Sequence, residues 1–292
     1  MQQYHEQCYL CNSSKLKPLV GYERHDMVKC GDCGFVFMRR IPTLDELGAH
    51  YSTYSYGGDY YLSPITVKSY HALLDELEPF RKSNKILDVG CGMGFFLDAA
   101  KERGWKVYGT EYSAKAIERC RAKGIDMKEG VLNPTDFAEH DFDIVTSFEV
   151  MEHINNPVPE LTNIHQLLRP GGLFYCTTPN FDSMLRYQTG EQYNIIGYPE
   201  HLSYYTRKTL SRVVTERGFR LHDFKSTGIS ISRMKVSTGS TEEKMHTETS
   251  SDERLRKNID GKWYLQIAKD IVNGLLTLTN KGMTLKGYYI KK

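Results

Sequence analysis

Residues 86–94 read ILDVGCGMG and carry most of the information about the architecture. ILDV is a short apolar run that lies between the polar segment RKSNK and a glycine, which is typical of a buried strand. Gly90, Gly92 and Gly94 permit a sharp turn whose backbone can lie close to a ligand, because no Cβ intervenes. FFLDAAKERG then has helical apolar spacing, so the turn directs the free N–H groups of a helix toward that ligand.

A second predicted strand, WKVYGTEYS, ends near Glu111, about twenty residues after the glycines, where a carboxylate would hold the hydroxyls of a ribose. Two classes of cofactor share this layout. A dinucleotide site requires the spacing G-x-G-x-x-G/A, whereas this chain has G-x-G-x-G, with Asp88 before it and Phe95 at the position of the third glycine. The spacing therefore does not favour a dinucleotide.

The stretch closely resembles motif I of class I S-adenosylmethionine-dependent methyltransferases. The resemblance continues through FDIVTSFEVMEHINNP (residues 142–157) and LLRPGGLFYCTTPN (residues 167–180). It implies a methyltransferase with an α/β fold, a doubly wound, mostly parallel seven-stranded sheet, and S-adenosyl-L-methionine as cofactor. The residues that it implies for cofactor binding are Asp88, Gly90, Gly92 and Gly94 at the methionyl end, Glu111 on the ribose, Tyr112, Val131 and Leu132 around adenine, and Phe148 and Glu149 beneath the cofactor.

The remaining pattern predicts a βα alternation. Strands are predicted near residues 85–89, 106–111, 125–129, 142–147, 172–177 and 219–229, with a closing antiparallel strand at 283–292. Amphipathic spacing predicts helices at 66–82 and at about 254–279, and the polar Ser/Thr-rich stretch 236–253 is predicted to be a mobile loop. The predicted organisation is a zinc ribbon at 1–40, a tyrosine-rich connector and helix at 41–84, and the methyltransferase domain at 85–292.

Four of the seven cysteines form the pattern C-x2-C-x18-C-x2-C: Cys8, Cys11, Cys30 and Cys33. Two CxxC pairs, each on a tight turn, supply the four thiolates that tetrahedral Zn²⁺ requires. Because all four ligand positions are taken, the pattern predicts a structural zinc with no open position for catalysis. Zinc binding can fold a segment of this kind that has almost no core of its own.

Two histidines are candidates for the acceptor side. His201 lies in YPEHLSYYTRKTL, which resembles a segment of sugar methyltransferases in which a Glu-His pair lies over the acceptor; carried over, His201 removes the acceptor proton and Glu200 orients the substrate. His153, with Glu149 and Glu152, resembles the E-x-x-E-H of quinone-biosynthesis O-methyltransferases, where such groups can hold a divalent cation. The sequence ranks His201 above His153 as the catalytic base.

Three functions follow from these patterns. The first is methylation of a small molecule, namely a sugar, a nucleotide-linked sugar or a surface-glycan precursor. The second is catechol- or quinone-type O-methylation that uses a divalent cation. The third is RNA methylation or RNA binding guided by the ribbon, which the low formal net charge of +2 disfavours. The sequence leaves open the acceptor, O-, N- or C-methylation, and the oligomeric state.

The composition is typical of a cytoplasmic protein, and the resemblance implies a small-molecule acceptor as its partner. Hydrophobic residues make up 40% of the chain, and no apolar run reaches the roughly 18 residues of a membrane span. Residues 253–292 contain nine Lys/Arg and three Asp/Glu, which predicts peripheral contact of this basic region with an anionic membrane surface, or a solvated helix face.

Overall fold

The computed structural model describes residues 2–53, 61–138, 140–239 and 248–292. Part of the predicted tyrosine-rich connector, residues 54–60, and part of the predicted mobile loop, residues 240–247, lie outside the described residues. No helix in the described ranges is both long enough and apolar enough to cross a membrane.

The described chain contains thirteen strands and ten α-helices. The strands are β1 Gln3–Tyr4, β2 Leu16–Pro18, β3 Met27–Cys30, β4 Val36–Met38, β5 Arg40–Ile41, β6 Lys85–Val89, β7 Lys106–Glu111, β8 Asp126–Glu129, β9 Phe142–Phe148, β10 Leu168–Pro179, β11 Ser203–Tyr204, β12 Phe219–Thr227 and β13 Thr284–Lys291. The helices are α1 Leu44–Thr53, α2 Pro64–Leu77, α3 Phe95–Glu102, α4 Ala114–Ala122, α5 Pro157–Leu167, α6 Met184–Thr189, α7 Arg207–Thr215, α8 Ile231–Ser237, α9 Ser251–Asp260 and α10 Trp263–Thr279.

Seven of the strands form the central sheet, in the order β12-β13-β10-β9-β6-β7-β8. The strands from β10 to β8 pair in parallel, and β13 lies antiparallel between β10 and β12. This confirms the predicted fold, including the closing antiparallel strand. All five residues of β6 are buried, because helices cover both faces of the sheet at its centre. The carboxyl ends of β6, β7 and β9 therefore meet at one edge.

The C-terminal helical region differs from its prediction. The predicted helix 254–279 is two helices, α9 and α10, separated at Gly261 and Lys262, and α9 begins at Ser251, inside the predicted mobile loop. The Ser250 hydroxyl caps α9 by accepting a hydrogen bond from the Glu253 N–H. The buried Glu253 carboxylate in turn accepts a hydrogen bond from the Ser63 hydroxyl at 2.5 Å. A contact with a residue 190 positions away thus orders a segment whose composition is typical of a loop.

The N-terminal segment forms a second sheet in the order β11-β4-β3-β2. Strand β11 comes from the C-terminal half of the chain and pairs antiparallel with β4, Ser203 opposite Phe37 and Tyr204 opposite Val36. Phe37 is fully buried in the cluster that also contains Leu87 of β6. The cysteine-bearing segment is therefore packed against the main domain by a shared sheet and a shared core.

Candidate functional site

The glycine turn after β6 has the backbone conformation that its sequence predicts. Gly90, Gly92 and Gly94 all have positive φ angles, of 67°, 51° and 71°. A Cβ on Gly90 would lie 2.7 Å from Val150 Cγ2, and one on Gly94 would lie 2.7 Å from Cys120 Sγ. Both glycines are therefore required by close packing as well as by conformation, and the turn leaves its backbone amides at the sheet edge.

Asp88 lies directly below this turn and is buried, with 2% of its surface exposed. Its Oδ1 accepts a hydrogen bond from the Thr146 hydroxyl at 2.7 Å. Burial, together with the charge of the nearby Glu111 and against the opposing effect of the Thr146 hydroxyl, raises the pKa of Asp88 to about 7. Asp88 is thus a carboxyl group that can exchange a proton near neutral pH at the position predicted for the methionyl end of the cofactor.

Glu111 ends β7 beside the glycine turn, and 9% of its surface is exposed. Its Oε2 accepts a hydrogen bond from the Gly92 N–H at 2.9 Å, and its Oε1 accepts from the N–H groups of Tyr112 and Ser113 at 2.8 and 3.0 Å. A carboxylate has about four acceptor positions, so three backbone donors fix its orientation and leave capacity for a hydroxyl. The residue can both brace the turn and accept a hydrogen bond from a ribose hydroxyl.

The residues predicted around adenine divide into two groups. Tyr112 and Val131 are exposed, by 67% and 62%. Leu132 is buried in the hydrophobic core, and its carbonyl accepts a hydrogen bond from Asn163 Nδ2. Core packing therefore accounts for the Leu132 side chain, whereas the other two are accessible to a ligand. Phe148 closes β9 against Phe96, with ring centroids 4.9 Å apart.

The two candidate histidines lie together rather than at separate sites. Their ring centroids are 4.8 Å apart at an interplanar angle of 66°. Two hydrogen bonds join the turn Met151–His153, which follows β9, to the start of β11. The Leu202 N–H donates to the Glu152 carbonyl, and the Ser203 hydroxyl donates to the Ile154 carbonyl. These bonds bring His153 and His201 to the same place although 48 positions separate them in the chain.

Each histidine is oriented by a backbone carbonyl. His153 Nδ1 contacts the Glu200 carbonyl at 2.7 Å, and His201 Nδ1 contacts the Ile195 carbonyl. A carbonyl oxygen can only accept, so each Nδ1 carries a proton, and the lone pair of a neutral ring is on Nε2. Burial, together with the positive charge that His153 can carry, lowers the pKa of His201 to about 4. His201 is therefore a neutral ring at physiological pH.

Three ligand atoms, one each from Glu152, His153 and His201, lie within 4.8 Å of one another. Glu152 is 3% exposed; the Thr178 hydroxyl donates to its Oε2 at 2.8 Å, and its Oε1 lies 3.9 Å from His153 Nε2. Burial, and then the charge of Glu149, raises the pKa of Glu152 well above its usual range. A cation at this position would relieve the cost of burying that carboxylate.

Glu149, the third member of the predicted cation set with Glu152 and His153, is not among the three residues whose ligand atoms lie within 4.8 Å of one another. The Glu149 residue has φ of 51°, and its N–H donates to the Thr177 carbonyl at 3.0 Å. Burial raises its pKa, while Arg233 and Lys286 act in the opposite direction. Neither cation lies in a motif, so the sequence pattern gives no indication of them.

The four cysteine Sγ atoms form a second cluster, and all lie within 4.8 Å of one another. Cys8 Sγ lies 3.6 Å from Cys33 Sγ, and Cys11 Sγ lies 3.5 Å from Cys30 Sγ. Tetrahedral zinc with Zn–S bonds near 2.3 Å separates its sulfurs by roughly 3.8 Å. The donor set and its spacing therefore fit zinc. Each knuckle is closed by an N–H to the carbonyl of its first cysteine, from Asn12 and from Gly34, both with positive φ.

Comparisons with known proteins agree with this geometry. A family model described as a methyltransferase domain matches residues 65–223. A ubiquinone biosynthesis O-methyltransferase of Roseobacter denitrificans is 34% identical over 109 residues, 35% of this chain and 44% of that protein. A probable S-adenosylmethionine-dependent methyltransferase of Mycolicibacterium smegmatis is 30% identical over 97 residues, 32% of this chain and 38% of that protein. The chain thus spans less than half the length of these two relatives.

Among solved structures, a SAM-dependent methyltransferase from Archaeoglobus fulgidus is similar over 77% of this chain and 94% of its own, with a TM-score of 0.51 and 18% sequence identity. A putative sarcosine dimethylglycine methyltransferase from Galdieria sulphuraria is similar over 85% and 98%, with a TM-score of 0.52 and 14% identity. At these identities the likeness is one of fold.

Proposed function

Because this chain belongs to the methyltransferase-domain family and is an S-adenosylmethionine-dependent methyltransferase, we propose that it methylates a hydroxyl group of a small catechol- or quinol-type acceptor. The observation that carries the proposal is the cluster of Glu152, His153 and His201 at the edge where the predicted cofactor residues lie. The relatives named as ubiquinone biosynthesis O-methyltransferases support this acceptor class over a sugar.

The cofactor residues are proposed as the sequence predicted them, with one change. Glu111 accepts a hydrogen bond from the ribose, the turn from Gly90 to Gly94 and Asp88 border the methionyl end, and Tyr112 and Val131 flank adenine. Leu132 is assigned a packing role. The bound cofactor supplies a methyl group on a positively charged sulfur. The work left to the protein is to hold the acceptor oxygen in line and to remove its proton.

His201 Nε2 is proposed as the atom that takes the acceptor proton. It is an imidazole lone pair held in place by the Nδ1 contact with the Ile195 carbonyl, and the lowered pKa keeps it unprotonated at neutral pH, although it also makes the ring a weaker base. A divalent cation held by Glu152 and His153 would stabilise the acceptor as an oxyanion; His201 is not counted among its ligands, because its single Nε2 lone pair takes the proton. The Glu200 side chain is proposed to orient the acceptor, as the sequence predicts. Its backbone carbonyl orients His153.

A sugar or nucleotide-linked sugar is the second candidate acceptor. It is favoured by the PEHL segment around Glu200 and His201 and by the cysteine-bearing N-terminal segment, which lies outside the residues that the family model matches. Structural zinc at Cys8, Cys11, Cys30 and Cys33 is proposed on the donor set and its spacing. A cytoplasmic location is retained as a prediction.

The test is a turnover assay with S-adenosylmethionine and two acceptor panels, catechols and quinols in one and nucleotide-linked sugars in the other. We expect turnover of the first panel, loss of turnover with a chelator, and recovery with Mg²⁺. Because a chelator can also strip zinc from the cysteines, the zinc content is measured in the same samples. Only a loss of turnover at unchanged zinc content supports the divalent cation. Turnover of sugars alone would overturn the proposed acceptor class, and turnover that resists the chelator would rule out the proposed role of a divalent cation.

A further inference from the structure

The helix α10 is apolar but almost entirely exposed. Of its seventeen residues, all of which the structure describes, Leu276 alone is buried. Six large side chains are more than half exposed: Trp263, Tyr264, Ile267, Ile271, Leu275 and Leu278. At about 100° per residue these six fall within one arc of about 120° around the helix. This arc is called the α10 apolar face.

The polar side of α10, not its apolar face, is turned toward the protein. Asn273 Oδ1 accepts a hydrogen bond from the Gly228 N–H at 3.0 Å. The Thr277 hydroxyl accepts from the Ser226 N–H and donates to the Ser226 carbonyl, both at 3.1 Å. These bonds fix the helix against the end of edge strand β12 and prevent it from rolling. The orientation is the reverse of an ordinary surface helix, whose apolar stripe faces the core.

The α10 apolar face contains no charged residue, and several basic residues of region 253–292 make contacts elsewhere. Lys281 pairs with Asp182 at 3.1 Å and Lys257 pairs with Glu248 at 3.1 Å. Lys291 donates to the carbonyls of His165 and Leu168. A helix that lies on an anionic membrane needs a strongly charged polar face. Here the polar face is engaged by β12, and much of the positive charge is paired elsewhere.

We propose that the α10 apolar face is the interface with a second copy of this chain. Aromatic and aliphatic side chains without charge are the composition of an interface core. Six such side chains contribute on the order of 100 Å² each, or roughly 600 Å² per copy, close to the roughly 800 Å² per partner of a stable interface. The face supplies most of what a stable dimer buries.

The expected geometry is an antiparallel pair of α10 helices related by a two-fold axis near Ile271. Trp263 and Tyr264 then meet Leu275 and Leu278 of the partner subunit, and the helix dipoles oppose each other favourably. No atom lies within 4 Å of a Cβ built on Gly274, whose exposed backbone lets the second helix approach. The interface also borders an apolar cavity of about 490 Å³ that Leu275 helps to line.

The experiment is sedimentation velocity of the full chain from about 1 to 100 µM, a range that spans the affinity of a typical small interface. We expect dimers in this range. Ile271→Asp should weaken association at least about 100-fold, because the new carboxylate would be buried without a partner. The control is Lys269→Glu, which changes charge on the same helix outside the α10 apolar face and should dimerise normally. Because Ile271 is 59% exposed, the variant should melt like the wild-type monomer.

Tryptophan emission gives an independent reading. Trp105 is 3% exposed and Trp263 is 75% exposed, so a blue shift on concentration must come from Trp263 and should vanish in Trp263→Phe. If Ile271→Asp fails to fold, Leu278→Glu replaces it, since Leu278 is 78% exposed. A monomer at every concentration, or a dimer that Ile271→Asp leaves intact, would overturn the proposal. So would a monomer that binds phosphatidylglycerol vesicles through Ile271. None of these readings depends on the acceptor proposed above.

Discussion

Replacement of Glu111 by alanine tests the cofactor site at the residue that the structure characterises best. Its carboxylate has two roles: Oε2 accepts a hydrogen bond from the Gly92 N–H at 2.9 Å, and the acceptor position that the backbone donors leave open can bind a ribose hydroxyl. Removal of the carboxylate deletes the charge-assisted bond expected to the ribose. It also leaves the N–H groups of Gly92, Tyr112 and Ser113 without this acceptor.

The magnitude follows from these losses. Hydrogen bonds to charged groups contribute about 1.5–3 kcal/mol each, and water that enters the vacated volume recovers part of it. A net loss of about 2–3 kcal/mol remains, which weakens cofactor affinity by roughly 30- to 150-fold, since about 1.4 kcal/mol is tenfold. Glu111→Gln should lose less, because one amide oxygen can still accept.

The assay is calorimetric titration with S-adenosylmethionine at neutral pH. The matched control is Glu129→Ala, which removes an exposed carboxylate at the paired position of the next strand. It should change affinity less than about twofold, the usual range for a surface substitution. Unchanged affinity in Glu111→Ala would refute the ribose assignment. An equal loss in both variants would mean that net charge, not a specific contact, explains the effect.

Three further predictions use the same reasoning. His201→Ala should lower turnover by roughly 10²- to 10⁴-fold with little change in cofactor affinity. Because the pKa of His201 is lowered to about 4, the pH–rate profile of the wild-type enzyme should stay flat as pH falls through 6.5. A decline of the wild-type rate centred at pH 6.5 would contradict the burial of this ring. Cys8→Ser should remove about one zinc per chain by elemental analysis and lower the melting temperature of the whole chain, because Cys8 lies in the main core cluster. An unchanged melting profile would mean that the cysteine-bearing segment does not contribute to the stability of the main domain. Gly94→Ala should destabilise folding by about 1–3 kcal/mol in denaturant titrations, and more than Gly130→Ala, whose Cβ would meet no atom within 4 Å.

The sequence by itself determined the strands of the central sheet and the glycine turn at its carboxyl edge. Strands such as β6 are short apolar runs that lie between a polar segment and a glycine, and the glycine turn requires positive φ angles that few other residues adopt. The position of Glu111 beside the glycine turn follows because the carboxyl ends of adjacent parallel strands meet at one edge of the sheet. The cysteine cluster is likewise local, since each CxxC turn places its own two thiols. The individual strands and turns depend on interactions between near neighbours, which a sequence pattern records directly.

Tertiary structure alone decided how distant segments combine. The sequence predicts His153 and His201 as competitors, whereas the hydrogen bond from the Leu202 N–H to the Glu152 carbonyl brings them into one cluster. The start of α9 depends on Ser63, and the outward direction of the α10 apolar face depends on bonds to Ser226 and Gly228. Helical periodicity shows that a helix has an apolar side but not which way that side faces. That direction is set by partners that lie far away in the chain.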